Sequence, residues 1–384
     1  MTSSCATSLT RSDSPPLVSD RVVCLGDSIT DGYTYPQILI QALREAGKPV
    51  PVIICSGIGG NTAPEMAVRL DKTVLVFKPQ WVTFSAGAND ALRKVTPTQY
   101  EQALRQIVDK TQAQGVRMLL LTPCVLLKRD GQTPHEKEAY GKQVQARLDD
   151  YERIIRTVAA EKGCMVAENR AVMEAAVKAG RTILAPDNVH PNYEGQALIA
   201  RSILDAMGYK DVAIPRTFEP KLFPGIIREW KMRQAPLDDK KHEVRLTLET
   251  VMRLEPDSSW KTYTLPDPAP TNAPSAEDWS EQLRRNGFAL GIPNQIGGKL
   301  VQAVAEVVSD HEKNVYLHIG GYVSTVWLNG ILVHNQGETW TGFHAGKDRI
   351  PVMLKLGRNH LVVETGASHF LIAITGGLIW EDPL

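Results

Sequence analysis

The stretch Arg21-Val22-Val23-Cys24-Leu25-Gly26-Asp27-Ser28-Ile29-Thr30 decides the fold. Residues 22–25 are apolar without alternation and run straight into a Gly-Asp-Ser turn. A short strand that is apolar on both sides is buried on both faces, as in a parallel sheet covered by helices. The serine then stands where the strand ends and the chain turns. In open parallel sheets that carboxyl end is where ligands bind.

The same pattern repeats outward from this point. VIIC (52–55), WVTFS (81–85), RMLLLTP (117–123) and CMVA (164–167) read as buried strands. Segments of helical period lie between them, among them YPQILIQALREAG, APEMAVRL, TPTQYEQALRQIVDKTQAQG and HEKEAYGKQVQARLDDYERIIRTVAAEKG. Apolar strands alternating with amphipathic helices predict a three-layer α/β/α, flavodoxin-like domain with a parallel sheet over residues 21–209. Residues 1–20 hold no apolar core long enough for a signal peptide and read as a disordered leader.

After Tyr209 the character changes. Residues 210–240 are Pro-rich and charged and read as a linker. A second Pro-rich stretch spans 265–279. Beyond it VYLHI, YVSTVWL, ILVHN, IPVMLKL, HLVVET and HFLIAIT follow at short spacing, with Asn329-Gly330 as a hairpin signal. This pattern predicts a β-sandwich of jelly-roll type over 241–384.

Lys plus Arg and Asp plus Glu number 43 each, which argues against broad electrostatic attraction to nucleic acid or an anionic membrane. No stretch approaches the roughly 18 apolar residues of a membrane span. The five cysteines are odd in number, lack a CxxC and sit mostly in apolar runs, so buried free thiols are expected. As written the chain reads as cytoplasmic, or as secreted or periplasmic if an export signal has been removed. The nine histidines show no metal-ligand spacing, and no metal or other cofactor is expected. Oligomeric state is open.

Four blocks carry chemistry. Ser28 follows the first strand, where backbone N–H groups can meet an anion. Alone, it reads rather as a serine that caps the local backbone. Ser56-Gly57-Ile58-Gly59-Gly60-Asn61-Thr62 follows the second strand, and its glycines let backbone approach a ligand or merely form a tight turn. Asn89 follows the third strand, as an amide for an oxyanion or as a helix cap. Asp187-Asn188-Val189-His190 precedes a strong amphipathic helix. Within one turn the carboxylate can reach the ring Nδ1–H and leave Nε2 for a nucleophile. A second Asp-x-x-His, Asp239 to His242, falls in the charged linker and reads as a solvated turn. Each block is weak by itself. Together they supply a nucleophile, a base, its orienter and oxyanion donors, the set needed for acyl transfer through a tetrahedral intermediate.

On these residues the first half of the chain resembles the SGNH, or GDSL-like, serine hydrolases. The resemblance covers roughly residues 20–209. It implies Ser28 as nucleophile and Asp187 and His190 as acid and base. It also implies an oxyanion hole from the Ser28 and Gly60 backbone and the Asn89 side chain. No Gly-x-Ser-x-Gly elbow occurs, and the order Ser, Asp, His fits this family. Where the family often begins its second block with Asn, this chain reads Cys55-Ser56. The implied activity is hydrolysis of short acyl esters, O-acetyl groups on carbohydrate above all, through an acyl-serine. Alternatives are a lipase or thioesterase, an acyltransferase with the same triad, and a non-catalytic carbohydrate-binding protein. The C-terminal region resembles the galactose-binding-like sandwiches attached to glycoside hydrolases. There Trp340, Phe343 and His344 could stack on a sugar or pack the sandwich. The polar segment 126–141 could cover the site or serve as plain connector.

Overall fold

A computed structural model describes residues 21–127, 134–270, 290–291, 300–336, 346 and 348–379. The expected substrate contacts Trp340, Phe343 and His344 and residues 128–133 of the 126–141 segment lie outside the residues so described.

The first half is built on β1 (Arg21–Gly26), β2 (Val52–Gly57), β3 (Trp81–Phe84), β4 (Arg117–Leu121) and β5 (Met165–Ala167), all parallel. Their order, β2-β1-β3-β4-β5, is the flavodoxin-like one. In this order the chain reverses direction across the sheet at β1 and β3, and a crevice opens beyond their carboxyl ends. The connections carry α1 (Ser28–Asp31), α2 (Thr34–Glu45), α3 (Ala63–Thr73), α4 (Ala88–Leu92), α5 (Pro97–Gln112), α6 (Pro134–Lys162), α7 (Asn169–Lys178) and α8 (Tyr193–Ala206). The five strands fall where the unbroken apolar runs place them, and Val23, Ile54, Val82 and Leu120 are fully buried between the helical layers. Cys24, Cys55 and Cys124 are buried free thiols, and Cys164 is half-buried.

The remainder is antiparallel: β6 (Glu229–Gln234), a short α9 (Leu248–Met252), β7 (Lys261–Thr264), β8 (Leu290–Gly291), β9 (Val301–Ser309), β10 (Lys313–Leu328), β11 (Ile331–Asn335), β12 (Asp348–Leu354) and β13 (Gly357–Thr375). Runs expected as separate strands are joined here. VYLHI and YVSTVWL are one strand of 16 residues, and HLVVET and HFLIAIT one of 19. Register shifts on either side of Val323 bend the β10–β13 pair, and at Gly321 (φ +89) a Cβ would meet the His369 carbonyl oxygen at 2.8 Å. The bend lets both long strands serve two layers. The first half of β10 pairs β12, and its second half pairs β11. The first half of β13 pairs β9, and its second half pairs β8. Between the layers lie Trp230, Leu317, Val326, Phe370 and Ile372, with Trp230 edge-on to Phe370 at 5.1 Å. Asn329 and Gly330 both take positive φ, 51° and 80°, as the two-residue hairpin signal requires.

Residues 210–240 are not a bare linker. Phe218 and Phe223 are buried in the α/β core. Gln37 and Gln41 of α2 accept the Lys221 and Glu219 N–H groups at 2.8 and 3.0 Å. Further on, β6 pairs β9 inside the sandwich. Proline and charge in this stretch mark an irregular path, while its two phenylalanines are apolar anchors. From β13, Leu371 and Ala373 also join the α/β core.

Candidate active site

Asp27, Ser28 and Ile29 form the turn from β1 into α1. Asp27 is the helix cap: its Oδ1 accepts the Ile29 N–H at 3.0 Å. Gly26 is obligatory here, because a Cβ would lie 2.0 Å from Thr30 Oγ1. Ser28, at the head of this turn, keeps partial exposure at the sheet rim.

Far along the chain, residues 185–190 fold into a tight loop closed by the Ala185 N–H to the His190 carbonyl (2.8 Å) and by a bridge between Leu184 and Pro191. Asn188 sits in the left-handed region at φ +59, which Asn tolerates better than most residues. Within the loop Asp187 Oδ1 accepts the Val189 and His190 N–H groups, both at 2.9 Å, and Oδ2 lies 2.5 Å from His190 Nδ1. Burial alone would push this carboxyl up. Hydrogen bonds from the His190 ring and from the two backbone N–H groups outweigh that and hold it well below the usual carboxylate range. An ionised Asp187 can only accept, so Nδ1 carries the proton and Nε2 of the neutral ring accepts. Ser28 Oγ lies 2.7 Å from His190 Nε2 and donates to it. The structure therefore brings Ser28, His190 and Asp187 into one hydrogen-bonded chain at the rim of the sheet.

α8 docks this loop onto the serine turn. Asn192 caps α8 by accepting the Gly195 N–H at 3.1 Å and donates through Nδ2 to the Thr182 carbonyl at 2.9 Å. One turn on, buried Gln196 accepts the Tyr35 N–H at 3.2 Å and donates to the Ile29 carbonyl at 3.3 Å. The base loop and the serine turn are thus tied through one amide.

The two expected oxyanion contributors flank the serine turn. Asn89 Nδ2 donates to Asp27 Oδ2 and to the Asn61 carbonyl, both at 3.2 Å. Gly60 adopts φ +80 with open space where a Cβ would stand, and its carbonyl accepts from Arg93 at 3.0 Å. Beneath it, Asp90 accepts the Ala63 and Gly87 N–H groups at 2.9 and 3.0 Å. Burial pushes Asp27 up to about 6 and Asp90 up to about 7.

Sequence reasoning passed over Arg69, which does most to hold the second block in place. From α3 it donates to Asn61 Oδ1 (2.7 Å), Ser56 Oγ (2.8 Å), the Gly26 carbonyl (2.8 Å) and the Ser56 carbonyl (2.9 Å). Its burial lowers the guanidinium to about 10. The available signal was Ser56, whose short hydroxyl gives the guanidinium a partner. The second Asp-x-x-His is an exposed turn, with His242 Nδ1 at 3.4 Å from Asp238. Among the described residues no group of three His, Cys, Asp or Glu has the arrangement to hold a metal ion. Nor is any described helix long and apolar enough to cross a membrane.

Residues 24–198 match the model of the GDSL-like Lipase/Acylhydrolase family. The chain is similar to an acetylxylan esterase of Geobacillus stearothermophilus, 25% identical over 218 residues that cover 50% of this chain and 95% of that protein. It is also similar to Thioesterase 1/protease 1/lysophospholipase L1 of Escherichia coli K12, 30% identical over 109 residues, 27% of this chain and 50% of that one. Among solved structures, LAE5, an α/β hydrolase from the metagenome of Lake Arreo, is 26% identical with a TM-score of 0.44, covering 50% of this chain and 96% of that one. The family match and the acetylxylan esterase relative support an esterase. Residues 24–198 are thus similar to the GDSL-like Lipase/Acylhydrolase family.

Proposed function

We propose that this chain is a serine esterase that removes short acyl groups, O-acetyl above all, from carbohydrate by way of an acyl-serine. The observation that carries this reading is the chain Asp187–His190–Ser28, with contacts of 2.5 and 2.7 Å. Ser28 Oγ attacks the ester carbonyl as His190 Nε2 takes its proton. Asp187 stabilises the imidazolium and fixes the ring. The oxyanion is met by the Ser28 and Gly60 N–H groups and the Asn89 amide. At rest Asn89 Nδ2 makes only two long bonds, so it can re-aim toward the developing charge. His190 then protonates the leaving alkoxide, and water attacks the acyl-serine with the same ring as base.

The carbohydrate part of this reading is supported by the acetylxylan esterase, similar across 95% of its own length. The similarity to a thioesterase and lysophospholipase supports a second reading, a longer acyl chain. Turnover of p-nitrophenyl acetate and octanoate by wild type and by Ser28→Ala decides between them. Acetate preference abolished in the variant supports the proposal, and octanoate preference favours the second reading. Absence of turnover in wild type sinks both. Mass spectrometry of acetate loss from an acetylated xylan panel then tests the carbohydrate assignment.

A further inference from the structure

The outer face of the sandwich, remote in sequence from the Ser28 rim, holds a cavity of about 360 Å³ under the segment that carries α9. Its floor is Arg233 of β6 and Gln302 of β9, residues paired across the two strands. The guanidinium of Arg233 lies 4.5 Å above the Trp260 ring, and its Nε donates to Gln302 Oε1 at 3.1 Å. Gln302 is itself buried and fixed, because its Nε2 donates to the Val244 carbonyl at 3.1 Å. Stacking and one neutral hydrogen bond hold Arg233 in place. Its two Nη groups make no hydrogen bond or ion pair among the described residues.

Asp257 is the carboxylate whose charge acts on Arg233, but the two form no ion pair among the described residues. Asp257 directs its Oδ1 to the N–H and hydroxyl of Ser259, at 2.8 and 2.6 Å. At the rim stands Arg245, exposed and with no ion pair among the described residues. The third rim arginine, Arg253, is paired with Glu249 at 3.2 Å, and Glu255 completes the charged lining. The lining itself carries three cations and two carboxylates, and Asp257 acts on Arg233 from beside it. The walls between them are aliphatic, from Val244, Leu246 and Leu254.

We propose that this cavity binds a monocarboxylate sugar, a uronic-acid residue of a glycan. A planar fork with both Nη groups open is the donor set that suits a carboxylate. The aliphatic walls suit the C–H face of a pyranose, and the cavity has the size of a small-ligand site. The uronate class rests on the carbohydrate reading above, whereas the anion fork does not. Such a site would hold an acidic polysaccharide while Ser28 works on its ester groups.

The test is calorimetric titration of the full chain carrying Ser28→Ala with glucuronate, glucose and inorganic phosphate. Binding is read without turnover, so the result is independent of whether the esterase reading holds. Glucuronate should bind at least about tenfold more tightly than glucose, and Arg233→Lys, which keeps charge and loses the fork, should weaken it by about tenfold. Arg245→Ala alters an exposed side chain and should weaken it without affecting folding. Equal binding of glucose and glucuronate, no binding of either, or phosphate binding as tightly as glucuronate would each overturn the assignment. So would glucuronate binding that neither variant changes.

Discussion

Asn89 and Asp27, 62 residues apart in sequence, meet through an amide-to-carboxylate hydrogen bond of 3.2 Å. One residue contributes to the proposed oxyanion hole and the other caps the helix that begins with the proposed nucleophile. The bond couples the two functions.

Asn89→Ala should lower kcat on p-nitrophenyl acetate by about a hundredfold or more, with little change in KM, because the lost donor acts on the transition state. Asp27→Ala should lower kcat less and should also cost about 1 kcal/mol of stability through the lost cap. Steady-state kinetics and urea denaturation of both variants check this. Equal kcat losses, or a KM effect alone, would contradict it.

Asp187→Asn should leave the loop folded, since its side-chain oxygen can still accept the Val189 and His190 N–H groups. It should nonetheless reduce kcat by about three to four orders of magnitude, because an amide at this place favours the wrong ring tautomer. Unchanged kcat would remove Asp187 from the triad.

Stability should fall as pH rises between about 4 and 7. Asp27 and Asp90 are raised from the ordinary 3.8 to about 6 and about 7 by burial. The folded state therefore holds their protons where the unfolded chain has lost them, and it is favoured at the acid end. Asp187 has the opposite sign, but its depressed range lies below this window. Buried His318, lowered to about 3, also opposes the fall and offsets part of it up to about pH 6.5, while the two aspartates together outweigh it. The urea midpoint should drop from pH 5 to pH 8, and Asp90→Asn should flatten that slope. A midpoint that rises across the window would refute the assignment.

Two glycines of the second block should respond differently to alanine. At Gly57 a Cβ would sit 2.2 Å from the Asp31 backbone N–H, where nothing can yield, so Gly57→Ala should unfold or inactivate the domain. At Gly60 the space is open and only φ +80 is strained, which costs about 1–2 kcal/mol. Gly60→Ala should therefore fold, with a modest drop in melting temperature read by circular dichroism.

Gln196→Ala should strip the Ile29 carbonyl and the Tyr35 N–H of their shared partner, at about 1–3 kcal/mol for each group left unpaired. Because Gln196 lies between the serine turn and the base loop, kcat should fall as well. Gln196→Glu should recover the Tyr35 bond only. Calorimetry and kinetics on the pair check both statements.

The α/β half was legible because its signals are local. Strands buried on both faces show as unbroken apolar runs, and Ser28, Asn89 and the 187–190 turn all adjoin such runs or a helix start. What holds the site was not legible. Arg69, Gln196 and Asp27 act through partners as many as 167 residues away, and no spacing rule reports such contacts. In the sandwich, β10 was divided in two at Gly320-Gly321, since paired glycines resemble a turn when they only bend a continuous strand. β6 and β9 were passed over for different reasons. Charged residues alternate along EWKMRQ, and VQAVAEVVS carries no turn signal at its start.

Strand β13 places Leu371 and Ala373 against the α/β core, while Phe370 and Ile372 face the interior of the sandwich. Alternate side chains of a single strand thus belong to two different cores. A chain cut near residue 209 would expose a bare greasy surface, and the two halves should melt together in one transition. Any exchange of the sandwich between relatives would have to carry both faces of that strand at once.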